Sequence, residues 1–348
     1  MDLLNPRPIQ KGFRLHSVDE LRGFAMVLVL LYHIGGVLKW DNWLHGEVGV
    51  DIFLIVSGFT LVLTSRDLQV RDYMKRRLLR IFPSYWAAVV FYVLLNDKFF
   101  GSDYSASTII LHLLGLHGFS SGIYFSDISD SFWFISMILG MYVVFLFLRA
   151  RLADLSYILG FGMLLTVVVC SAYIDAGHPG GLIQLAVRIP SFFLGLLAGQ
   201  VCTAPKSTLA PSGVLIAGLV AITYLGWFKG VITFYAVAAV GMTGAFLFVA
   251  RYLTKAPEGR MILAAFSFIG AYSYEIFLFH QPLMRDYNLY FFRVYLGIEP
   301  TNGELALGIL ASLAVTLVIS IALHKAVAAL FSIPRREPSD SRAPKATA

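Results

Sequence analysis

Apolar windows of about 20 residues recur along most of the chain, which is the length a helix needs to cross the hydrocarbon core of a membrane. One further apolar stretch, Thr108–Leu116, is too short to cross, and we interpret it as a re-entrant or interfacial helix. The pattern predicts an all-α, polytopic transmembrane helix bundle of about ten spans. The predicted spans lie near residues 18–38, 47–65, 80–95, 131–149, 155–174, 181–202, 209–227, 231–250, 267–292 and 304–331.

Composition supports a membrane protein. Hydrophobic residues make up 58% of the 348 residues and charged residues 14%, whereas soluble domains average about 25% charged. We predict one membrane-embedded domain over residues 1–333 and a short polar, disordered tail over residues 334–348. No signal peptide is evident, because the first apolar run lacks a small-residue cleavage site. Cys170 and Cys202 have no paired spacing, so neither a disulfide nor a metal site is predicted.

The distribution of basic residues predicts the orientation. Of the 27 Lys and Arg residues, 19 fall on one predicted side, 5 on the other, and Arg22, Arg188 and Lys325 within spans. Cytoplasmic loops carry the excess of basic residues, so we place both termini in the cytoplasm of a multi-pass protein of the plasma (inner) membrane. The net charge of +6 does not indicate nucleic acid, because the basic residues cluster in loops between spans. The pattern leaves the oligomeric state open.

The first predicted span carries three ionisable residues on one face. Arg22 and His33 are eleven residues apart, which corresponds to three helical turns plus about 20°, or about 16 Å along the axis. Asp19 precedes Arg22 by three residues and can pair with it. An ionisable residue inside a membrane span is a candidate functional residue by default. The alternative is a polar cluster that only packs helices together.

Two arginines at the end of a basic run form a second candidate site. Arg77 and Arg80 are three residues apart in Lys75–Arg80 and would share a helical face. Such a pair can bind phosphate groups. A basic run at a cytoplasmic helix end can also be a topology signal alone.

Three further stretches carry polar residues within or beside spans. Asp51, four residues after Glu47, would meet a polyol or line a water-filled vestibule on the outer side, while Ser57-Gly58 would allow a close helix contact. The aromatic run Phe132–Phe134, which leads to Tyr142, is typical of interfacial belt anchors. Glu275 and His280 are five residues apart and do not share a helical face well, so they would serve different partners. For His280 a structural hydrogen bond and a functional role remain equally open.

Together these segments resemble the acyltransferase-3 family of integral membrane O-acyltransferases. The resemblance covers about residues 15–285 and rests on the residues within five short stretches and on the order of these stretches along the chain. The matching stretches are DELRGFAMVLVLLYH, GVDIFLIVSGF, RRLLRIFPSYW, SFWFI with its following Tyr, and SYEIFLFHQP.

The resemblance implies transfer of an acyl group from cytoplasmic acyl-CoA, expected to be acetyl-CoA, to a hydroxyl of a surface or exported glycan. No permanently bound cofactor is implied. His33 would be the catalytic histidine, and Arg22 its motif partner beside Asp19. Arg77 and Arg80 would hold the coenzyme A phosphates. The candidates for substrate contact in the other stretches are Asp51, Ser57, Tyr142 and His280.

Several points stay open at the level of sequence. His33 could act as a general base or be acylated itself and pass the group on. Ile138 stands where many family members carry Glu, so an acid role at that position is absent and the acceptor class can differ. A proton-coupled transporter or flippase is the alternative class, since intramembrane Asp, Arg, Glu and His suit it too, although no inverted repeat is visible. A purely structural subunit would leave the buried charges unexplained.

Overall fold

The computed structural model describes residues 16–40, 46–119, 128–152, 158, 161–162, 165, 180–203 and 231–331. Nine helices of eight residues or more lie within these ranges, and no strand is among them. They are α1 (His16–Val37), α2 (Val48–Ser65), α3 (Val70–Phe100), α4 (Ala106–Leu113), α5 (Trp133–Leu148), α6 (Gly180–Thr203), α7 (Val231–Leu253), α8 (Pro257–Pro282) and α9 (Asn302–Phe331).

Six segments of the described residues are long and apolar enough to cross a membrane. They are Val18–Val37, Val48–Ser65, Val70–Phe100, Asp130–Arg151, Pro257–Tyr295 and Asn302–Phe331. The predicted all-helical membrane class is therefore confirmed. Helices α6 and α7 occupy the predicted windows 181–202 and 231–250. The predicted span 209–227, nearly all of 155–174 and the predicted tail lie outside the described residues, so the count of about ten stays a prediction.

Two predicted helix boundaries differ from the structure. Helix α3 begins at Val70 and not near residue 80, because the basic segment Lys75–Arg80 continues the helix. Helix α8 begins at Pro257, ten residues before the predicted span 267–292. Beyond Pro282 the helical segment runs on through wide π-helical turns at Leu283–Tyr287 and Phe291–Tyr295, so it ends close to the predicted residue 292. Pro282 precedes the first wide turn and lacks the backbone N–H that an α-helix needs there. Such turns are often found at functional sites, and the turn at Leu283–Tyr287 carries Arg285.

Helices α1 and α8 cross in direct backbone contact. A Cβ atom on Gly270 would lie 1.8 Å from the Asp19 carbonyl oxygen, and one on Gly23 would lie 1.8 Å from the Phe266 carbonyl oxygen. Small residues allow such approach between membrane helices. Gly58 of α2 similarly meets α6, where its Cβ would lie 2.4 Å from the Phe192 carbonyl oxygen. The predicted close contact at Ser57-Gly58 is thus confirmed at Gly58.

The short apolar stretch forms α4, an eight-residue helix. Ser105 caps it by accepting a hydrogen bond from the Thr108 N–H at 3.1 Å. Gly115, with φ of +69°, turns the chain after the helix, and a short 3₁₀ turn at His117–Phe119 follows. The prediction of a short helix that does not cross is consistent with this geometry.

Candidate active site

Helices α1, α2, α5 and α8 contribute to the walls of two cavities at different levels of the bundle. Helix α3 completes the wall of one cavity and α6 that of the other. The arginine cavity, of about 80 Å³, is lined by Arg22, Arg77 and Arg80 together with apolar and hydroxyl-bearing residues. The histidine cavity, of about 440 Å³, is lined by His33 and mainly polar residues. The spacing on α1 predicts this separation, because His33 lies three turns beyond Arg22 on the same face.

Arg77 lies half-buried in the wall of the arginine cavity. Its Nη2 donates to the hydroxyls of Ser65 and Thr64, and its guanidinium lies 5.7 and 5.6 Å from the ring centres of Tyr73 and Tyr142. Its Nε finds no hydrogen-bond partner among the described residues. A guanidinium that is held in place and retains an unused buried donor is suited to bind an anionic ligand.

Arg80 and Arg22 complete a cluster of three guanidinium groups. Arg80 is exposed and lines the same cavity one turn after Arg77, as the spacing predicts. Arg22 reaches the cavity from α1, and its Nη1 donates to Asp19 Oδ1 at 3.3 Å, so the predicted Asp19–Arg22 pair is confirmed. Two motifs more than 50 residues apart in the chain therefore meet at one cavity.

Three other wall residues of the arginine cavity come from stretches identified in the sequence. Ser57 of α2 and Tyr142 of α5, both predicted substrate contacts, lie beside the arginines and not beside His33. They are thus placed to touch an anionic ligand at the arginine end. Ile138 lines the same wall, so the Glu that many family members carry at this position would face the arginines.

His33 lines the histidine cavity, and His280 of α8 packs against it with ring centroids 5.0 Å apart. His280 is fully buried. Its Nδ1 donates to the Phe277 carbonyl oxygen at 2.8 Å, because a carbonyl can only accept. Its Nε2 in the neutral ring therefore carries a lone pair, and this atom has no hydrogen-bond partner among the described residues. This arrangement places a fixed hydrogen-bond acceptor, His280 Nε2, on the ring that packs against His33, the candidate catalytic histidine.

The rest of the histidine cavity is lined by residues that were not predicted as site residues. Arg285 Nη1 pairs with Asp130 Oδ2 at 2.7 Å, and Gln281 Nε2 lies 3.4 Å from the same oxygen. Trp133 lines the wall as well and thus has a role beyond a membrane belt. The available signals were Asp130 beside the predicted span 131–149 and Arg285 within the predicted span 267–292. Helical periodicity does not show that α5 and α8 meet there.

The structure gives Asp51 a different position from the predicted one. Asp51 is fully buried and lines neither cavity. Its carboxylate oxygens accept from Arg188 Nη1 and, at 2.7 Å, from Ser191 Oγ. Arg188 lies 5.4 Å from the ring centre of Trp133 and lines the histidine cavity. We therefore correct the predicted substrate contact: Asp51 holds Arg188 in place, because its oxygens are already bound between α2 and α6.

Glu275 and His280 have different partners, as their spacing predicts. Glu275 is buried, accepts from Ser84 Oγ at 3.0 Å and lies 3.3 Å from His324 Nδ1. This network joins α3, α8 and α9, whereas His280 faces α1. Glu275 lines neither cavity, so its role is to hold helices together.

A second pair of buried histidines lies in α4 and in the 3₁₀ turn that follows it. The rings of His112 and His117 stack with centroids 4.1 Å apart. Burial, together with the neighbouring His112, lowers the pKa of His117 to about 3, so its ring is neutral near pH 7. In the described part of the chain, no group of three or more His, Cys, Asp or Glu residues is placed to hold a metal ion.

A family model, Acyl_transf_3, described as an acyltransferase domain, matches residues 15–325 of the chain. The match covers both cavities and every helix from α1 to α8. No solved structure matches the chain.

Three curated relatives extend this comparison. A protein named as the membrane-bound transacylase BcsY of Komagataeibacter xylinus is 24% identical over 89% of this chain and 82% of its own length. A protein named as the acetyltransferase ORF330 of Acidianus two-tailed virus is 28% identical over 51% of this chain and 53% of its own length. The peptidoglycan O-acetyltransferase OatA of Listeria monocytogenes is 31% identical over 24% of this chain and only 14% of its own length.

Proposed function

The chain belongs to the acyltransferase-3 family and is a membrane-bound acyltransferase, and we propose that it transfers an acyl group, expected to be acetyl, from cytoplasmic acyl-CoA to a hydroxyl of a surface or exported glycan. The observation that carries this proposal is the pair of cavities whose walls share the four helices α1, α2, α5 and α8. One presents three guanidinium groups and the other presents His33. Transfer between a polyanionic donor and a polar acceptor requires both kinds of site.

The arginine cavity is the proposed donor end. Coenzyme A carries phosphate groups, which guanidinium groups bind with charge-assisted hydrogen bonds. Arg77 offers the unused Nε, and Arg80 has no hydrogen bond or ion pair within the described residues. Arg22 is oriented by Asp19 and lies at the same cavity.

The excess of basic residues on one side supports the proposed orientation. The arginine cavity opens beside the basic segment Lys75–Arg80, which the positive-inside rule places in the cytoplasm. The histidine cavity then lies toward the outer side of a plasma membrane that the chain crosses about ten times, with both termini inside. An acyl group would move outward along α1.

The histidine cavity is the proposed acceptor end. It combines the aromatic ring of Trp133 with the carboxylate of Asp130, the amide of Gln281 and the guanidinium of Arg285. Such a mixture of aromatic and hydrogen-bonding groups suits a sugar, which has apolar ring faces and hydroxyl edges. A relative named as a peptidoglycan O-acetyltransferase supports a glycan acceptor.

His33 is the proposed catalytic residue, and His280 its positioning residue. In direct transfer, His33 takes the proton from the acceptor hydroxyl as the oxygen attacks the thioester carbonyl. The C–O bond forms, the C–S bond breaks, and the proton passes from His33 to the leaving thiolate. In the two-step route, the His33 imidazole nitrogen first attacks the thioester carbonyl carbon, the C–S bond breaks, and the proton lost by the ring protonates the leaving thiolate. The acceptor oxygen then attacks the acyl carbonyl carbon, the C–N bond breaks, and the proton of the acceptor hydroxyl returns to the ring. In both, the lone pair of His280 can accept the N–H of His33 and fix its ring.

Purified protein in lipid nanodiscs, incubated with radiolabelled acetyl-CoA and a panel of glycan fragments, tests the proposal. We expect repeated turnover of acetyl-CoA to require a glycan acceptor and glycan labelling to require acetyl-CoA, and we expect His33→Ala to abolish both. Near wild-type transfer by folded His33→Ala would exclude His33 as the catalytic residue. Labelled protein formed without an acceptor supports the two-step route. Glycan movement across the bilayer without consumption of acyl-CoA would instead identify a transporter or flippase.

A further inference from the structure

Three phenylalanines from three helices lie between the arginine cavity and the histidine cavity. Phe53 of α2, Phe134 of α5 and Phe277 of α8 form this phenylalanine layer. The ring centroids of Phe53 and Phe134 are 6.5 Å apart, and those of Phe134 and Phe277 are 5.0 Å apart. All three line the arginine cavity.

Phe277 is the central member of the layer. Of the described residues, it alone lines both cavities, and it is 5% exposed. Its carbonyl oxygen accepts the hydrogen bond that orients His280, and its ring centroid lies 5.5 Å from that of His280. The same residue therefore separates the cavities with its side chain and fixes the histidine pair with its backbone.

The layer has no polar side-chain atom. Water occupies a buried space stably only where several polar groups can bind it, so the part of the arginine cavity that these rings line favours apolar groups over water. An acyl chain is the apolar end of an acyl-CoA. If phosphates are bound on one side and the acceptor hydroxyl on the other, the thioester has to lie at the level of these rings.

We propose that Phe277, with Phe134, forms the acyl-group pocket and limits the length of the acyl chain that can be transferred. This inference rests on the proposed function. The bond changes are those of the transfer itself: the C–S bond to coenzyme A breaks, and a C–O or C–N bond forms at the His33 side. The Phe277 ring occupies the space that additional methylene groups of a longer acyl chain would need. Rejection by packing of this kind is worth about 10–200-fold per methylene group.

The test compares acetyl-CoA with butyryl-CoA as donors in nanodiscs, for wild type, Phe277→Ala and Phe277→Leu. We expect wild type to prefer acetyl-CoA. The measured quantity is the kcat/KM for butyryl-CoA divided by the kcat/KM for acetyl-CoA. Phe277→Ala should raise this ratio at least tenfold. Phe277→Leu, which keeps most of the side-chain volume and is the variant to use if Phe277→Ala does not fold, should raise it by a smaller factor.

Phe279→Ala is the matched control. Phe279 lies two residues further along α8, is 2% exposed, and packs against Phe91 and Tyr92 with centroid distances of 5.3 and 5.9 Å. It lines neither cavity, so its truncation should leave the ratio unchanged.

The outcomes separate this inference from the proposed function. A wild-type protein that transfers no acyl group overturns the proposed function and this inference with it. A wild-type protein that transfers acetyl, beside a folded Phe277→Ala or Phe277→Leu with the wild-type ratio, overturns this inference alone. An equal shift of the ratio in Phe279→Ala also overturns it, because general loosening of α8 would then be the cause.

Discussion

The imidazole of His280 lies against that of His33, with ring centroids 5.0 Å apart, and a hydrogen bond from its Nδ1 to the Phe277 carbonyl oxygen holds it there. This bond leaves the lone pair on Nε2, which is buried and has no other partner in the described ranges. His280 lines neither cavity, so in the proposed mechanism it orients His33 and does not contact the acceptor.

Removal of this lone pair should slow the chemical step without weakening donor binding. We expect His280→Leu to lower kcat about 10–100-fold, which is less than the 10²–10⁴-fold loss expected when a general base is removed. The KM for acetyl-CoA should stay within about twofold of the wild-type value. His280→Gln retains an acceptor oxygen and should recover part of kcat. The matched control is His324→Gln, a buried membrane histidine bound to Glu275. Equal kcat values for His280→Leu and wild type would contradict the positioning role.

Arg80 should affect donor binding alone. We expect Arg80→Ala to raise the KM for acetyl-CoA about tenfold and leave kcat unchanged, because an exposed charge-assisted contact to phosphate is lost. Wild type should also discriminate against a donor that lacks the 3′-phosphate, and Arg80→Ala should discriminate less. Arg76→Ala is the control, since Arg76 is exposed and outside the cavity wall. A KM effect of equal size in both variants would indicate general electrostatic attraction.

The Asp51–Arg188 pair should be a main determinant of stability. Asp51→Ala removes the carboxylate that accepts from Arg188, and removal of one partner of a buried pair costs about 3–5 kcal/mol. Ser191→Ala removes one neutral donor and should cost about 1 kcal/mol. Unfolding in nanodiscs measures both. The double variant Asp51→Leu with Arg188→Met should be more stable than Asp51→Ala; if it is less stable, the pair does not act through uncompensated charge.

The crossing of α1 and α8 should tolerate no side chain at Gly270. Gly270→Ala places a Cβ atom 1.8 Å from the Asp19 carbonyl oxygen, so the helices must separate, at a cost of about 1–3 kcal/mol or more. Because His33 and His280 lie on the same two helices, we expect kcat to fall as well. Gly241→Ala is the control, since nothing lies within 4 Å of its Cβ position. A stable and fully active Gly270→Ala would show that this contact does not position the site.

The sequence was sufficient for the class of fold and for the residues that share a helical face. Spans follow from the length of apolar runs, and the placement of Arg22 and His33 on one face follows from 3.6 residues per turn. The Asp19–Arg22 pair and the common face of Arg77 and Arg80 follow from the same local rule. These predictions hold because they depend only on neighbours within one helix.

Tertiary structure decided which of these faces meet. It brought Arg22 to the cavity of Arg77 and Arg80, enclosed Asp51 with Arg188, and added Asp130 and Arg285 to the cavity of His33. Periodicity cannot predict such contacts, because they depend on where small residues let two backbones approach and on the wide turn after Pro282. The sequence alone thus determined a membrane helix with an arginine and a histidine on one side. Only the packing of this helix with its neighbours placed the arginine and the histidine in two cavities with phenylalanine between them.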